Sequence, residues 1–345
     1  MCIKWLKLGN HYQFKFTMLS KHLITGVTGQ DGVFLTSAIL NDNPNDLIFG
    51  LSRNKNHNIF LDKVKNYLAI EESLNNIKIL DINLLNSVEV KNLILDITPK
   101  YIYNLTGPSS VYESLQEGST AYNDIINIFN NLSSPLVESG LESNFFQASS
   151  SEMFDVSTSP LNEISKLKAR SPYAKAKLSV HKKVQELKIN SQLNISSGIM
   201  FNHESEFRAD QYLIMKIINS IIKIKSGKIE NFQVGSLELT RDWSYAKDVA
   251  SAIYNINKND DSQDYVIGSG TGSSIENILS IVFEYFDLDW QQYVLVNDSL
   301  LRPGDPLSIV SDPKKIQTDL GWETNTTLEE MLIKCIEFKV NKSTL

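Results

Sequence analysis

"HLITGVTGQDG", residues 22–32, runs from an apolar stretch straight into three glycines, Gly26, Gly29 and Gly32. A strand that breaks at such a triplet and continues as a helix is suited to a tight turn. Backbone N–H groups there approach a pyrophosphate closely, and the helix N-terminus adds favourable partial positive charge. The loop predicted to meet such a ligand comprises Gly26, Thr28, Gly29, Gln30, Asp31 and Gly32. A glycine triplet alone also fits a turn with only a packing role, so its neighbours decide the reading.

Outward from that turn the pattern repeats. "LIFGLSR" (47–53), "IKILDIN" (77–83), "YIYNLTG" (101–107) and "NFFQASS" (144–150) read as strands. Helical patterns lie between them, such as "GVFLTSAILND" (32–42), "SVEVKNLILDI" (87–97) and "AYNDIINIFNNLSS" (121–134). Apolar strands separated by helices imply βαβ units and a parallel sheet covered on both faces. The fold class is therefore α/β, a Rossmann-type doubly wound parallel sheet, with a smaller, mixed C-terminal lobe. After residue 200 the alternation becomes irregular, through "QYLIMKIINSIIKIKSG" (211–227), "FQVGSLELTRDWSYAKDVASAIYNI" (232–256) and "SIENILSIVFEYF" (274–286). The expected division is an extension at 1–20, a dinucleotide domain at 21–200 with a returning segment near 240–268, and a substrate lobe from 201–239 and 269–345. Residues 1–17 read as dispensable, the competing reading being an added edge strand or an oligomer contact.

Composition narrows the function. A net charge of -7 disfavours a nonspecific nucleic-acid binder. No apolar run approaches the roughly 18–20 residues that span a bilayer, so no membrane partner is expected. Two cysteines, Cys2 and Cys335, give neither a disulfide framework nor metal-ligand spacing. A cytoplasmic protein without a metal fits this usage.

The end of the second strand bears on the cofactor. An acid there would bind the adenosine ribose diol, whereas "FGLSRNKN" (49–56) offers Ser52, Arg53 and Lys55. Cations suit a 2′-phosphate, so NADP is favoured over NAD. Asp81, closing "IKILD", is placed to meet an adenine amino group, although an Asp after a strand is often a turn former. In "SPYAKAKLSV" (171–180), Tyr173 and Lys177 stand four apart on one helical face. A phenol with an unperturbed pKa near about 10 needs a nearby cation to act as a base, and Lys177 can supply it.

With "FFQASSSEMF" (145–154), "GIMFNHES" (198–205), "LTRDWSYAKDV" (239–249), and "RP" (302–303) followed by "DPKK" and "LGW", these stretches resemble the extended short-chain dehydrogenase/reductases. Within them the chain resembles the GDP-mannose 4,6-dehydratase family, from about residue 21 to 340. The resemblance implies that Ser150 bonds the sugar 4-hydroxyl, Glu152 is the acid/base, and Tyr173 and Lys177 are the family's Tyr and Lys. It places Leu105 beside the cofactor and Ser109 beside the substrate. Asn202 and Arg241 fall where that family handles the nucleotide sugar, and Arg302 where it contacts the phosphates.

The implied reaction oxidises sugar C4, removes the now acidic C5 proton through Glu152, expels the C6 hydroxyl as water and returns the hydride to C6. A GDP-sugar substrate and a helix-mediated homodimer, or a tetramer, come with it. Tyr173, Leu178 and Val180, together with "AYNDIINIFNNL" (121–132), could line that dimer face, their other role being internal packing. The chain departs from the family pattern at "LTGPSSV" (105–111), where Pro108 and Ser110 replace Gln and His, at "EMFD" (152–155), and at "EFRA" (206–209), where only Arg208 of an Arg pair is kept. Alternatives are a nucleotide-sugar epimerase, reductase or C4-oxidase, and a catalytically idle NADP-binding protein. His203 reads as a buried, hydrogen-bonded histidine at least as readily as a catalytic one.

Overall fold

The computed structural model describes residues 2–8, 11–17, 19–53, 56–107, 119–157, 159–301 and 304–343, without side chains for 2–17, 119–121 and 342–343. Its first strands, β1 (Cys2–Leu8) and β2 (His11–Thr17), form an antiparallel hairpin. The segment expected to be an extension thus has regular structure of its own. Next come β3 (Lys21–Thr25), β4 (Leu47–Leu51), β5 (Ile77–Leu80), β6 (Tyr101–Asn104), β7 (Asn144–Ser150), β8 (Asn194–Met200) and, later, β12 (Tyr265–Ile267). These seven make one parallel sheet in the order β12-β8-β7-β6-β3-β4-β5. The chain winds outward from β3 to β5, then returns beside β3 with β6 and winds the other way. The switch point therefore lies between β3 and β6, where open α/β sheets bind ligands at the carboxyl ends of their strands.

Two compact units divide the chain. The first comprises Met1–Ala148, Ser171–Ser197 and Ile253–Gln263; the second comprises Ser149–Arg170, Gly198–Ala252 and Asp264–Leu345. The boundaries differ from those expected: 149–170 goes with the second unit, and the returning segment shortens to 253–263. The reason is visible in hydrogen bonds within the second unit. Leu161 N donates to Val310 O at 2.9 Å and Glu163 accepts from Val266 N at 2.7 Å, so the loop after β7 packs on late segments of the chain.

In the first unit the parallel register aligns Leu23, Ile102 and Phe145 across β3, β6 and β7. These fully buried residues meet Phe129 and Leu132 of the helix Ser119–Ser139 and Val180 and Val184 of the helix Pro172–Asn190. Phe129 and Phe145 meet edge to face at 5.9 Å. Because side chains alternate along a strand, residues two further on share this face. That fact places the polar groups described below.

The second unit is built around β11 (Thr240–Tyr245), flanked by β9 (Asn202–Glu204), β13 (Gly272–Ser274) and β15 (Ser308–Ile309), with β10 (Phe232–Val234) paired to β14 (Val294–Val296). Asp242 on β11 is almost fully buried and accepts from Ser269 N, Ser269 Oγ, Gly270 N, Ser311 N and Ser311 Oγ. A buried carboxylate with this many donors is a keystone rather than a liability. The helix Leu328–Ser343, absent from the sequence reading, closes the unit. Among the described residues no helix is long and apolar enough to cross a membrane.

Candidate active site

Each glycine of the opening turn has its own duty. Gly26 sits at φ +68°, the left-handed region, and a Cβ there would lie 3.3 Å from Thr106 Oγ1 and 3.4 Å from the Leu105 backbone. Gly29 donates its N–H to Gly26 O at 3.0 Å and starts the helix Gln30–Asp42. At Gly32 a Cβ would fall 2.2 Å from Val27 O, so only glycine lets this helix pack against the strand exit. The turn therefore presents bare main chain with a helix N-terminus behind it, a donor set that suits a diphosphate. The Thr106 hydroxyl borders the same turn, buried and without a hydrogen-bond partner among the described residues. Thr28 Oγ1 lies 3.1 Å from Ser52 Oγ, at the end of β4. Arg53 and Asp81 are exposed at the ends of β4 and β5, and Gln30 is buried. A dinucleotide fits these residues.

The helix Pro172–Asn190 starts where it does because Ser171 caps it, accepting from Ala174 N at 3.1 Å, with Pro172 at its first position. Tyr173 and Lys177 are thereby fixed in its first turns, both buried. Lys177 Nζ donates to Ala148 O at 2.9 Å and lies 5.8 Å from the centre of the Tyr173 ring. Burial pushes its ammonium down from 10.5 to about 8. Tyr173 and Val180 belong to the internal core, so of this helix's residues considered for a dimer face these two pack inward, while Leu178 is half-buried.

Ala148 is two residues from Ser150 and four from Glu152 along the chain. Ser150 ends β7 and caps the short turn Ser151–Met153, its Oγ accepting from Glu152 N at 3.3 Å. Glu152 is half-buried. Asn202 opens β9 and pairs in register with Trp243. Arg241 is nearly buried: Nη2 donates to Asp305 Oδ1 at 2.7 Å and Nη1 to Pro306 O at 3.0 Å. This ion pair was not foreseen, since Arg241 was read only as a ligand for the nucleotide sugar. His203 is half-buried rather than buried, and its Nδ1 donates to Phe201 O at 2.8 Å. Arg208 pairs with Glu204 at 3.2 Å and stacks on Tyr212. Ser109, with Pro108 and Ser110, as well as Lys55 and Arg302, lies outside the described residues. Among the described residues no cluster of His, Cys, Asp or Glu could hold a metal ion.

The sequence reading missed a row of polar side chains. Thr25, Asn104 and Gln147 are neighbours in register on β3, β6 and β7, each two residues beyond Leu23, Ile102 and Phe145. Thr25 Oγ1 accepts from Leu105 N (3.1 Å) and Thr106 N (3.2 Å) and donates to Asn104 Oδ1 at 2.9 Å. Asn104 Nδ2 donates to Gln147 Oε1 at 2.8 Å, and Gln147 Nε2 donates to Ala148 O at 2.8 Å. The available signal was a long amide, Gln147, directly after the apolar pair Phe145–Phe146 in a strand that is buried throughout.

The sheet order, the glycine turn and the Tyr-x-x-x-Lys helix define an extended short-chain dehydrogenase/reductase. The profile described as GDP-mannose 4,6 dehydratase matches residues 23–335. The chain belongs to that family. It is similar to GDP-mannose 4,6 dehydratase 2 of Arabidopsis thaliana, 28% identical over 316 residues that cover 90% of this chain and 84% of that protein. It is similar also to the GDP-mannose 4,6 dehydratase of Cricetulus griseus, 29% identical over 342 residues, 92% of this chain and 91% of the other. In fold it is like the UDP-glucose 4-epimerase of Thermotoga maritima, with a TM-score of 0.79 at 18% identity over 94% of this chain and 99% of that one. The dTDP-glucose 4,6-dehydratase DesIV of Streptomyces venezuelae gives 0.79 at 17% identity, covering 94% and 98%.

Proposed function

We propose that the chain is an NADP-dependent lyase that converts GDP-mannose, or a closely related GDP-hexose, to its 4-keto-6-deoxy form. The observation that carries this reading is the 2.9 Å bond from Lys177 to Ala148, on the strand that leads within four residues to Glu152. An oxidoreductase that only moves hydride has no need of a carboxylate there, whereas water elimination needs a base for C5. Family membership supports the same reading.

A bound nicotinamide dinucleotide, held at the Gly26–Gly32 turn, would supply the hydride acceptor for sugar C4 and the hydride donor for C6. The protein's own residues manage the protons. Tyr173, as phenolate, takes the C4 hydroxyl proton, and the Lys177 ammonium makes that phenolate accessible near neutral pH. Ser150 hydrogen-bonds the same hydroxyl. Glu152 takes the C5 proton once a C4 ketone makes it acidic, then passes a proton to the departing C6 hydroxyl; C5 regains a proton as the hydride reaches C6, balanced by the proton that Tyr173 releases. Asn202, Arg241 and Arg302 hold the nucleotide sugar, Arg302 at its phosphate end. Gly26, Thr28, Gly29, Gln30, Asp31, Gly32 and Leu105 line the dinucleotide, Ser109 the substrate, and Asp81 the adenine. Arg53 meets the 2′-phosphate, with Ser52 where an acid would oppose it. The assembly proposed is a homodimer.

Incubation with a panel of nucleotide sugars tests the reading by mass spectrometry. The expected product has lost one water from a GDP-hexose, with deuterium supplied at C4 recovered at C6 and no net consumption of NADP. An isomer of unchanged mass would move the epimerase reading ahead.

A further inference from the structure

We propose that Asn104 and Gln147 are positioning residues that aim the Lys177 ammonium, an inference resting on the catalytic reading of Lys177. The chemistry of the row makes it directional. Thr25 Oγ1 receives two backbone N–H groups, so its single proton goes outward, to Asn104 Oδ1 at 2.9 Å rather than to Tyr103 O at 3.4 Å. That bond orients the Asn104 amide, whose Nδ2 must face Gln147 Oε1. Gln147 Nε2 is then turned onto Ala148 O. Every amide orientation follows from the backbone donors of Leu105 and Thr106, the segment beside Gly26.

The row ends on a carbonyl that also serves Lys177. Ala148 O accepts from Gln147 Nε2 at 2.8 Å and from Lys177 Nζ at 2.9 Å. A carbonyl has two lone pairs, so the amide confines the ammonium to the second. Among the described residues Ala148 O is the one hydrogen-bond acceptor of Lys177 Nζ, which leaves two ammonium protons for other acceptors, a cofactor hydroxyl among them. Thr25, Asn104 and Gln147 are at most 2% exposed, and three apolar side chains in this row would avoid the cost of burying amides. A fully satisfied buried row rigidifies its surroundings. This one stops at the lysine's acceptor.

The test follows Lys177 itself in the cofactor-free protein, by NMR of ε-13C-lysine with Lys177→Arg as the assignment control. In the unmutated protein the side-chain amide signals of Gln147 and Asn104 should move with the midpoint of the Lys177 titration. Gln147→Met, or Gln147→Leu, leaves Ala148 O to the lysine alone. The ammonium is then held more firmly, and its midpoint should rise by about half a pH unit or more. In turnover these variants should lose roughly tenfold in kcat through misalignment, with KM for the sugar little changed. Amide signals that stay flat through the lysine titration overturn the proposal whichever variants fold. So does a variant that melts earlier but leaves the Lys177 midpoint and kcat where they were. If the midpoint moves but no nucleotide sugar is dehydrated, the positioning stands and the functional reading fails.

Discussion

The two faces of the first unit's sheet bury polar side chains to opposite ends. On one face His22 donates from Nε2 to Asp46 at 3.0 Å, stacks on Tyr101 at 4.8 Å, and receives the Tyr103 hydroxyl at Nδ1, 3.5 Å away. Asp46 also accepts from Ser20 N and Asn43 Nδ2, so its charge is met within the cluster. On the other face Thr25, Asn104 and Gln147 pass hydrogen bonds along the row to the carbonyl that holds Lys177. His22 and Thr25 differ by an odd number of positions on one strand, which sends them to opposite faces. Both networks satisfy the rule that buried polar groups find partners. Among the described residues only the second ends on the acceptor of a cation that has protons to spare, and that surplus separates a site from a fastening.

The sharpest break between the faces is chemical. Tyr173→Phe should abolish ketone formation, and Glu152→Gln should spare hydride removal but block water loss. Each loses roughly 10²–10⁴-fold, the worth of a missing general base. Single-turnover absorbance of the reduced nicotinamide and mass spectrometry of the sugar separate the two steps. Water loss at the normal rate in Glu152→Gln would make the carboxylate structural.

Next in size is the closed face. Asp46→Ala strands His22 Nε2 and Ser20 N without their acceptor and should cost about 3 kcal/mol of unfolding free energy. Urea denaturation measures it, and kcat of the folded variant should be unchanged. A kcat that falls with stability would show that the two faces are not independent.

The contrast also explains what could be read in advance. The glycine turn and the Tyr173–Lys177 pair were legible because their geometry is local: φ at Gly26, a Cβ excluded at Gly32, one helical turn between phenol and amine. The row at Thr25, Asn104 and Gln147 was not, since strand register alone brings together residues 79 and 43 positions apart. Arg241 was read as a sugar ligand from the family resemblance, and its ion pair was not legible beside that because Asp305 stands 64 residues away in a loop without periodic pattern. The helix Leu328–Ser343 escaped notice for a different reason, its apolar residues being interleaved with charges.

A smaller effect concerns the cofactor's far end. Arg53, exposed at the end of β4, should favour NADP(H) over NAD(H). Arg53→Ser should remove most of that preference, about 1–3 kcal/mol for a charge-assisted contact. Titration calorimetry with both cofactors reads it, and equal affinities in the unmutated protein would refute the NADP assignment.

The gentlest probe is pH, and it sets stability against activity. His22 and Lys177 are both bases whose charged forms burial disfavours, His22 chiefly by desolvation against the opposing pull of Asp46. For each, the folded value lies below the unfolded one, so between the two values the unfolded chain holds more protons. Stability therefore rises with pH through each window and falls as pH drops through it. For His22 the window lies below 6.5, so acidification through it should weaken the fold, and His22→Asn should flatten that slope. For Lys177 the window runs from about 8 up to 10.5 in the cofactor-free protein. Alkali should relieve the buried charge and add stability, yet remove the cation that Tyr173 relies on. Activity should then fall by about tenfold per pH unit above the lysine's midpoint, as a single titrating group dictates. Rate and denaturation profiles measured across pH 8–10 should accordingly slope in opposite directions. Profiles that decline together would assign the alkaline loss to unfolding rather than to Lys177.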